Sequence, residues 1–301
     1  VKNRAFRMPL AATLVAALAA TAAALVPAPA YAAPIFPGLQ YLVAVSESSS
    51  SVYKSIDVYC PAGQRVVGGS YDLEGAAGSV VLDDFIPTTD HLTVGAGEVV
   101  GPGEPADGTT ADWQIKAIVA CATPPPGLEI VVSTSAFGPG TSRPVQANCP
   151  SGKILISAGV SLSNGWGQIS VNNMVMTATG TSALGVDDED GYSGSWSISS
   201  YAVCASIPSA KVQIIGAESL RAPGDPGYQI AVFVRCPSGT TALGVGWQLS
   251  STEELINTQA VIGDATNTDQ SLVHTTGAVD ADGRSGSWTV KVQADCVAFN
   301  T

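Results

Sequence analysis

A nine-residue stretch that recurs three times constrains this chain more than any other feature: Trp113 to Cys121, Trp196 to Cys204 and Trp288 to Cys296 all read Trp-x7-Cys. Within each, every second residue is apolar or small, which is the period of a strand with one buried face. The rows are Trp113, Ile115, Ala117, Val119, Cys121; Trp196, Ile198, Ser200, Ala202, Cys204; and Trp288, Val290, Val292, Ala294, Cys296. In the third copy the other face carries Lys291, Gln293 and Asp295, so that face is expected to be wet.

The rest of the chain repeats around this strand, and repeats of this length have to be settled before any motif is interpreted. An opening strand is predicted at Pro37–Val43, again at Pro126–Val132, and more loosely at Ser209–Ile215. A second strand ends in Cys-Pro-x-Gly at Cys60, Cys149 and Cys236, where Pro and Gly stop and turn it. The third strand carries a Leu thirteen residues after that Cys (Leu73, Leu162, Leu249). It is interrupted at Gly68, Gly69, Gly159, Gly244 and Gly246, the mark of a bulge or a close backbone approach. A fourth strand aligns Leu82–Phe85, Val171–Met174 and Ile262–Ala265, giving Asp84, Asn173 and Asp264 one shared place. A weaker fifth leads into Asp107-Gly108, Asp190-Gly191 and Asp282-Gly283, read as hairpin turns because Asp-Gly suits paired positive φ angles. The copies run 33–123, 124–206 and 207–301, each roughly 85 to 95 residues with about six strands.

The six cysteines fall two per copy. Of their fifteen pairings, the repeat favours Cys60 with Cys121, Cys149 with Cys204, and Cys236 with Cys296. Each such bridge closes a long loop and contributes about 4 kcal/mol by loop-closure entropy. Structural zinc is not expected, since it needs clustered Cys or His and the two histidines, His91 and His274, stand apart.

Residues 1–32 are expected to be a secretory signal peptide. Lys2, Arg4 and Arg7 precede the apolar run Met8–Val26, and Ala30-Tyr31-Ala32 precedes Ala33. The product is then secreted and extracellular, with no membrane insertion after cleavage. Without the leader the chain has 13 − 3 = 10 basic and 25 acidic residues, a net of −15. Such a chain is repelled by phosphate backbones and anionic lipid, so nucleic acid is not an expected partner.

Cys-Pro-x-Gly, the glycine-interrupted strand after it and the closing Trp-x7-Cys-Ala together resemble a repeat of secreted actinobacterial proteins. More loosely, the pattern is similar to the vitelline membrane outer layer protein, a three-fold β-prism whose three sheets surround one core. There the repeats are shorter and the disulfides more numerous. The expected fold is therefore all-β, as three tandem antiparallel repeats each with its own disulfide, and the alternative is a single three-fold β-prism.

For chemistry the chain offers little. No Gly-x-Ser-x-Gly elbow is present, and no catalytic residue, cofactor or metal is expected. Asp187–Asp190 and Asp280–Asp282 depart from the EF-hand spacing and read as solvated turns. Trp113, Trp196, Trp247 and Trp288 read as core, whereas Trp166, between Gly165 and Gly167, is the candidate ligand contact. The expected function is a non-enzymatic binding or structural protein of the cell surface or matrix. Its candidate partners are a neutral cell-wall or environmental glycan, or a surface protein. The alternative is a secreted hydrolase or protease inhibitor acting through the Gly95–Thr110 loop.

Overall fold

The computed structural model describes residues 34–75, 78–99, 109–165, 167–187, 191–221, 229–250, 255–263, 269–279 and 287–298. The expected leader lies outside them. Among the described residues no helix is long and apolar enough to cross a membrane.

Among the described residues each copy forms six strands. In the first they are Gln40–Val45 (β1), Tyr53–Tyr59 (β2), Arg65–Glu74 (β3), Val80–Pro87 (β4), His91–Glu98 (β5) and Gln114–Ala122 (β6). In the second they are Glu129–Thr134 (β7), Ser142–Asn148 (β8), Ile154–Ser163 (β9), Ile169–Thr177 (β10), Gly180–Asp187 (β11) and Ser197–Ala205 (β12). In the third they are Val212–Arg221 (β13), Gln229–Arg235 (β14), Thr240–Leu249 (β15), Leu255–Ile262 (β16), Leu272–Val279 (β17) and Trp288–Ala298 (β18).

These strands do not stay within their copy. They build three six-stranded antiparallel sheets: sheet I in the order β1-β6-β3-β16-β17-β14, sheet II in the order β2-β5-β4-β9-β12-β7, and sheet III in the order β13-β18-β15-β10-β11-β8. Every copy gives three strands to one sheet and three to another, and the exchange closes in a ring. Of the two arrangements open to the sequence, the chain adopts the three-fold β-prism and not separate beads.

The seams between copies are short. Asp84 and Phe85 pair with Ser161 and Val160, Asn173 and Met174 with Gln248 and Trp247, and Gln259 and Ala260 with Asp72 and Tyr71. Two ladder pairs per seam hold little by themselves, so the ring depends on the side chains turned inward there. These are Phe85 against Val160, Met174 against Trp247 and Ala260 against Tyr71, large against small or flexible, all buried. The Tyr71 ring lies 5.6 Å from Phe85 and meets Trp247 edge-on at 5.8 Å, so this aromatic ties the first copy to the third.

The Trp-x7-Cys row faces this core as expected, with Trp113, Trp196 and Trp288 at most 2% exposed. Each indole N–H of the first two finds an acceptor, Trp113 on Glu98 at 3.0 Å and Trp196 on the Gly140 carbonyl at 2.8 Å. Lys54 and Arg143 cover their faces at 4.3 and 5.2 Å. Disulfides join Cys60 to Cys121, Cys149 to Cys204 and Cys236 to Cys296. In the first copy this ties the residue after β2, in sheet II, to β6 in sheet I. Each bridge thus fastens two faces of the prism at a corner.

A second apolar cluster closes one end. The third strand of each copy bulges at the same place, and the extra residues Val67, Ile156 and Leu243 are fully buried together. The backbones approach so closely there that a Cβ on Gly68 would stand 1.8 Å from the Leu243 carbonyl oxygen. A Cβ on Gly244 would stand 3.0 Å from the Ser157 Cα. Gly68 and Gly244 thus mark both a bulge and a backbone contact with another copy.

Three expectations need correction. Asp-Gly predicts a hairpin turn, but the strands flanking it (β5 and β6, β11 and β12, β17 and β18) belong to different sheets and do not pair. Of those dipeptides only Gly191 is described, at φ 78°. The fourth strand of the third copy is Leu255–Ile262 (β16), whose Gln259 and Ala260 pair at the seam, so Gln259, not Asp264, shares the place of Asp84 and Asn173; Asp264 lies outside the described residues. Last, Asp295 is not wet. Lys291 and Gln293 are partly exposed, but Asp295 is 0% exposed because its end of β18 runs beneath the end cluster.

A shared core predicts shared unfolding. Calorimetry should show one cooperative transition for all three copies, and Trp196→Ala should lower the stability of the whole by roughly 3 to 5 kcal/mol. The segment 124–206 made alone should show no cooperative melting, since its strands lack their partners. A folded isolated copy, or a separate transition in Trp196→Ala, contradicts this arrangement.

Candidate functional site

The outer face of sheet II differs chemically from the other two at its seam. In β4 the ladder to β5 slips between Leu82 and Asp84, leaving Asp83 as the extra residue. A bulge breaks the strict alternation of faces, and both Asp83 and Asp84 reach one hydroxyl group. That group is Tyr53 Oη, 3.5 Å from Asp83 Oδ2 and 3.3 Å from Asp84 Oδ2. Tyr53 gets there by lying across β5, which is open beneath its hydroxyl because Gly95 stands there. A Cβ on Gly95 would be 2.6 Å from the Tyr53 hydroxyl and 3.1 Å from Asp84 Cβ. Lys54, next in the chain, points the other way and donates to the Ser49 carbonyl at 2.7 Å.

The network crosses from one copy to the next. Ser161, paired with Asp84 at the seam, acts against the burial of both Asp84 and Tyr201 on β12, and its own hydroxyl donates to the Leu162 carbonyl at 3.5 Å. Burial pushes the Asp83 carboxyl up to about 7; the negative charge of Asp84 adds to this and the Tyr53 bond opposes it. Asp84 is raised by burial against the bonds from Ser161 and Tyr53. Tyr53 is raised by burial and then by the two carboxylates, so its hydroxyl keeps its proton and remains a donor.

Beside this network is a cavity of about 360 Å³. Val52, Tyr53, Val81 and Asp83 line it from the first copy, and Leu162, Asn164 and Gly167 from the second. The Asn164–Gly167 turn that forms its rim is held by Gly165, whose carbonyl accepts the N–H groups of Gln168 at 2.7 Å and Ile169 at 3.1 Å. Asn164 itself sits at φ 64° and donates from Nδ2 to the Ser195 carbonyl at 3.2 Å. This is the turn that carries Trp166 in the sequence. Trp166 lies outside the described residues, but Asn164 and Gly167, which line the cavity, are its near neighbours. The seam therefore brings a turn of the second copy to the acidic pair of the first.

The other expected chemistry is placed as follows. Asp187 is buried across from Ile169, and Asp188–Asp190 and Asp280–Asp282 lie outside the described residues. Among the described residues no three His, Cys, Asp or Glu side chains are grouped to hold a metal ion. His91 Nδ1 is 2.9 Å from both Asp90 Oδ1 and Thr88 Oγ1; one nitrogen shared by both partners is not a relay, which needs both ring nitrogens. His274 stacks on Phe233 at 5.2 Å on sheet I. Of the Gly95–Thr110 segment, Gly95–Glu98 belong to β5, and 100–108 lie outside the described residues.

At the equivalent places the other copies carry Ser142 and Gln229 for Tyr53, and Asn173 and Gln259 for Asp84. Gln293 closes the seam of sheet III instead, accepting from Met176 N–H at 2.8 Å and donating to its carbonyl at 3.2 Å. In the sequence, Asp83-Asp84 stands out only as part of a repeated strand. The available signal was their coincidence with Tyr53 and with Gly-x-Gly at 95 and 97. No family model matches the chain, and no curated protein matches it in sequence.

Carboxyl-carbon NMR should find Asp83 titrating near pH 7. Tyr53→Phe should move it further up by removing a bond to the ionised form, and Asp84→Asn should bring it down by removing the neighbouring charge. Shifts in the same direction for both variants would contradict the coupling described.

Proposed function

We propose that the protein is a secreted, non-enzymatic binding protein whose site is the cavity at the seam of sheet II, and that its ligand is a neutral glycan. The observation that carries this reading is the Tyr53 hydroxyl set between two carboxylates at the wall of a half-apolar cavity. Carboxylates accept from ligand hydroxyls, the tyrosine both donates and accepts, and Val52, Val81 and Leu162 offer apolar surface to the C–H face of a sugar ring. The described lining residues include no Lys or Arg, which in a chain this acidic disfavours anionic polymers. Trp166, between Gly165 and Gly167 in the sequence, is the side chain assigned to stack on the ring. At about 360 Å³ the cavity is near the small end for ligand sites, which suits one or a few sugar residues of a longer chain. Secretion is supported by the leader pattern of residues 1–32 and by three disulfides, which persist in oxidising compartments.

One observation favours a second reading, a glycan hydrolase. Asp83, protonated near neutrality beside Asp84, is the kind of acid and carboxylate pair that glycoside cleavage uses.

Retention on insoluble cell-wall glycans separates these readings. Wild type should bind, and Tyr53→Ala and Trp166→Ala should each weaken binding about tenfold or more, the loss typical of an aromatic anchor. Equal retention of all three proteins removes this site, and no retention of any removes the glycan ligand. Soluble fragments released by wild type but not by Asp84→Asn establish the hydrolase.

A further inference from the structure

At the end of the prism, the residue before the closing Cys is Ala120 in the first copy, Val203 in the second and Asp295 in the third. All three are 0% exposed. Ala120 and Val203 belong to the apolar end cluster with the bulged Val67, Ile156 and Leu243. Asp295 puts a carboxyl group where its counterparts are hydrocarbon, and neither of its oxygens has a hydrogen-bond partner. Since the same place is filled by Ala and Val in the other copies, packing alone does not require the acid.

The surroundings bring no compensation. On β13 Asp295 faces Ile214, and on β15 it faces Gly244, between Leu243 and Val245. Across Gly244 come Ser157 and Met176 of the second copy. None of these is charged, and Lys291, on the same strand, is committed to Glu218 at 3.4 Å near the surface. The titratable group that reaches this part of β15 is Tyr41 of the first copy, which donates to the Ala242 carbonyl at 2.5 Å and lies 3.1 Å from Thr241 Oγ1. An isolated buried carboxylate is strongly disfavoured, so the group is held as the neutral acid. Burial is the whole cause of its upward displacement.

We propose that Asp295 is a proton-operated catch on the end cluster: with its proton it packs as the third member of the ring, and on losing it the end of β18 separates from β13 and β15. The folded state binds a proton that the unfolded chain releases above the ordinary carboxyl range, about pH 4. Stability is therefore full in acid and declines as pH rises from there toward the raised value of the folded protein. Asp72, Asp83 and Asp84 are displaced in the same direction, so only a difference between variants isolates this residue.

Denaturant unfolding from pH 5 to 9 tests the catch in wild type, Asp295→Asn and Asp295→Val, the last being the second copy's own residue. The folding equilibrium constant of wild type should fall relative to both variants, by up to about tenfold per pH unit where one proton is released. Amide exchange at 296–298 of wild type, corrected for its intrinsic pH dependence, should accelerate over the same range, while that at 121–122 does not. Parallel pH curves for wild type and either folded variant would overturn the proposal, as would equal acceleration at both ends.

Discussion

The structure depends on a contact that no single copy can make: Tyr71, Trp247 and Phe85 meeting on the inner side of three two-pair seams. A three-stranded half-sheet has an apolar face too large to leave wet and too small to cover itself. Giving one half to each neighbour solves this for all copies at once, and the ring closes when the third copy meets the first. Disulfides at the corners hold each copy's two halves at the angle this demands.

That solution sets the positions of glycine and bulge. The bulge in β3, β9 and β15 turns an extra apolar residue toward the axis, and Gly68 and Gly244 let backbones of different copies touch. The rule of three is not followed to the letter, however. Met174 against Trp247 and Ala260 against Tyr71 fill similar spaces with different shapes, so the copies are complementary and not interchangeable. Divergence of this kind lets one seam change chemistry while the frame stays put.

Sheet II shows the result. Tyr53, Asp83, Asp84 and the glycines beneath them occur together only in the first copy, and the turn that faces them comes from the second. Had the copies folded as beads, the acidic pair and the Trp166 turn would belong to different bodies. The cavity is a property of the seam, which rests on the same inward contacts as the fold. Binding and stability are thus tied to one place on the molecule.

Much was legible in the amino-acid order because it is local. Alternation along Trp-x7-Cys assigns the buried face of the closing strand, Cys-Pro-x-Gly ends the second strand, and the period of about 90 residues makes three like units with two cysteines each. Strand pairing is not local: the period-2 pattern says which face is buried but not whose strand lies alongside. Hence Asp-Gly looked like a hairpin although its flanking strands part to different sheets, and Gly68 announced a close approach without naming Leu243. Asp295 was assigned to water by alternation, which cannot see that the far end of β18 is roofed by two other copies. Tyr53 and Asp84, thirty-one residues apart, became neighbours only when β5 lay between them with glycine at the crossing. The sequence by itself determined the all-β class, the closing Trp-x7-Cys strands and their core-facing rows, because these follow from side-chain period and turn chemistry. Only the tertiary structure decided the ring of shared sheets, the acidic cavity and the buried Asp295, because each depends on which backbone arrives from another copy.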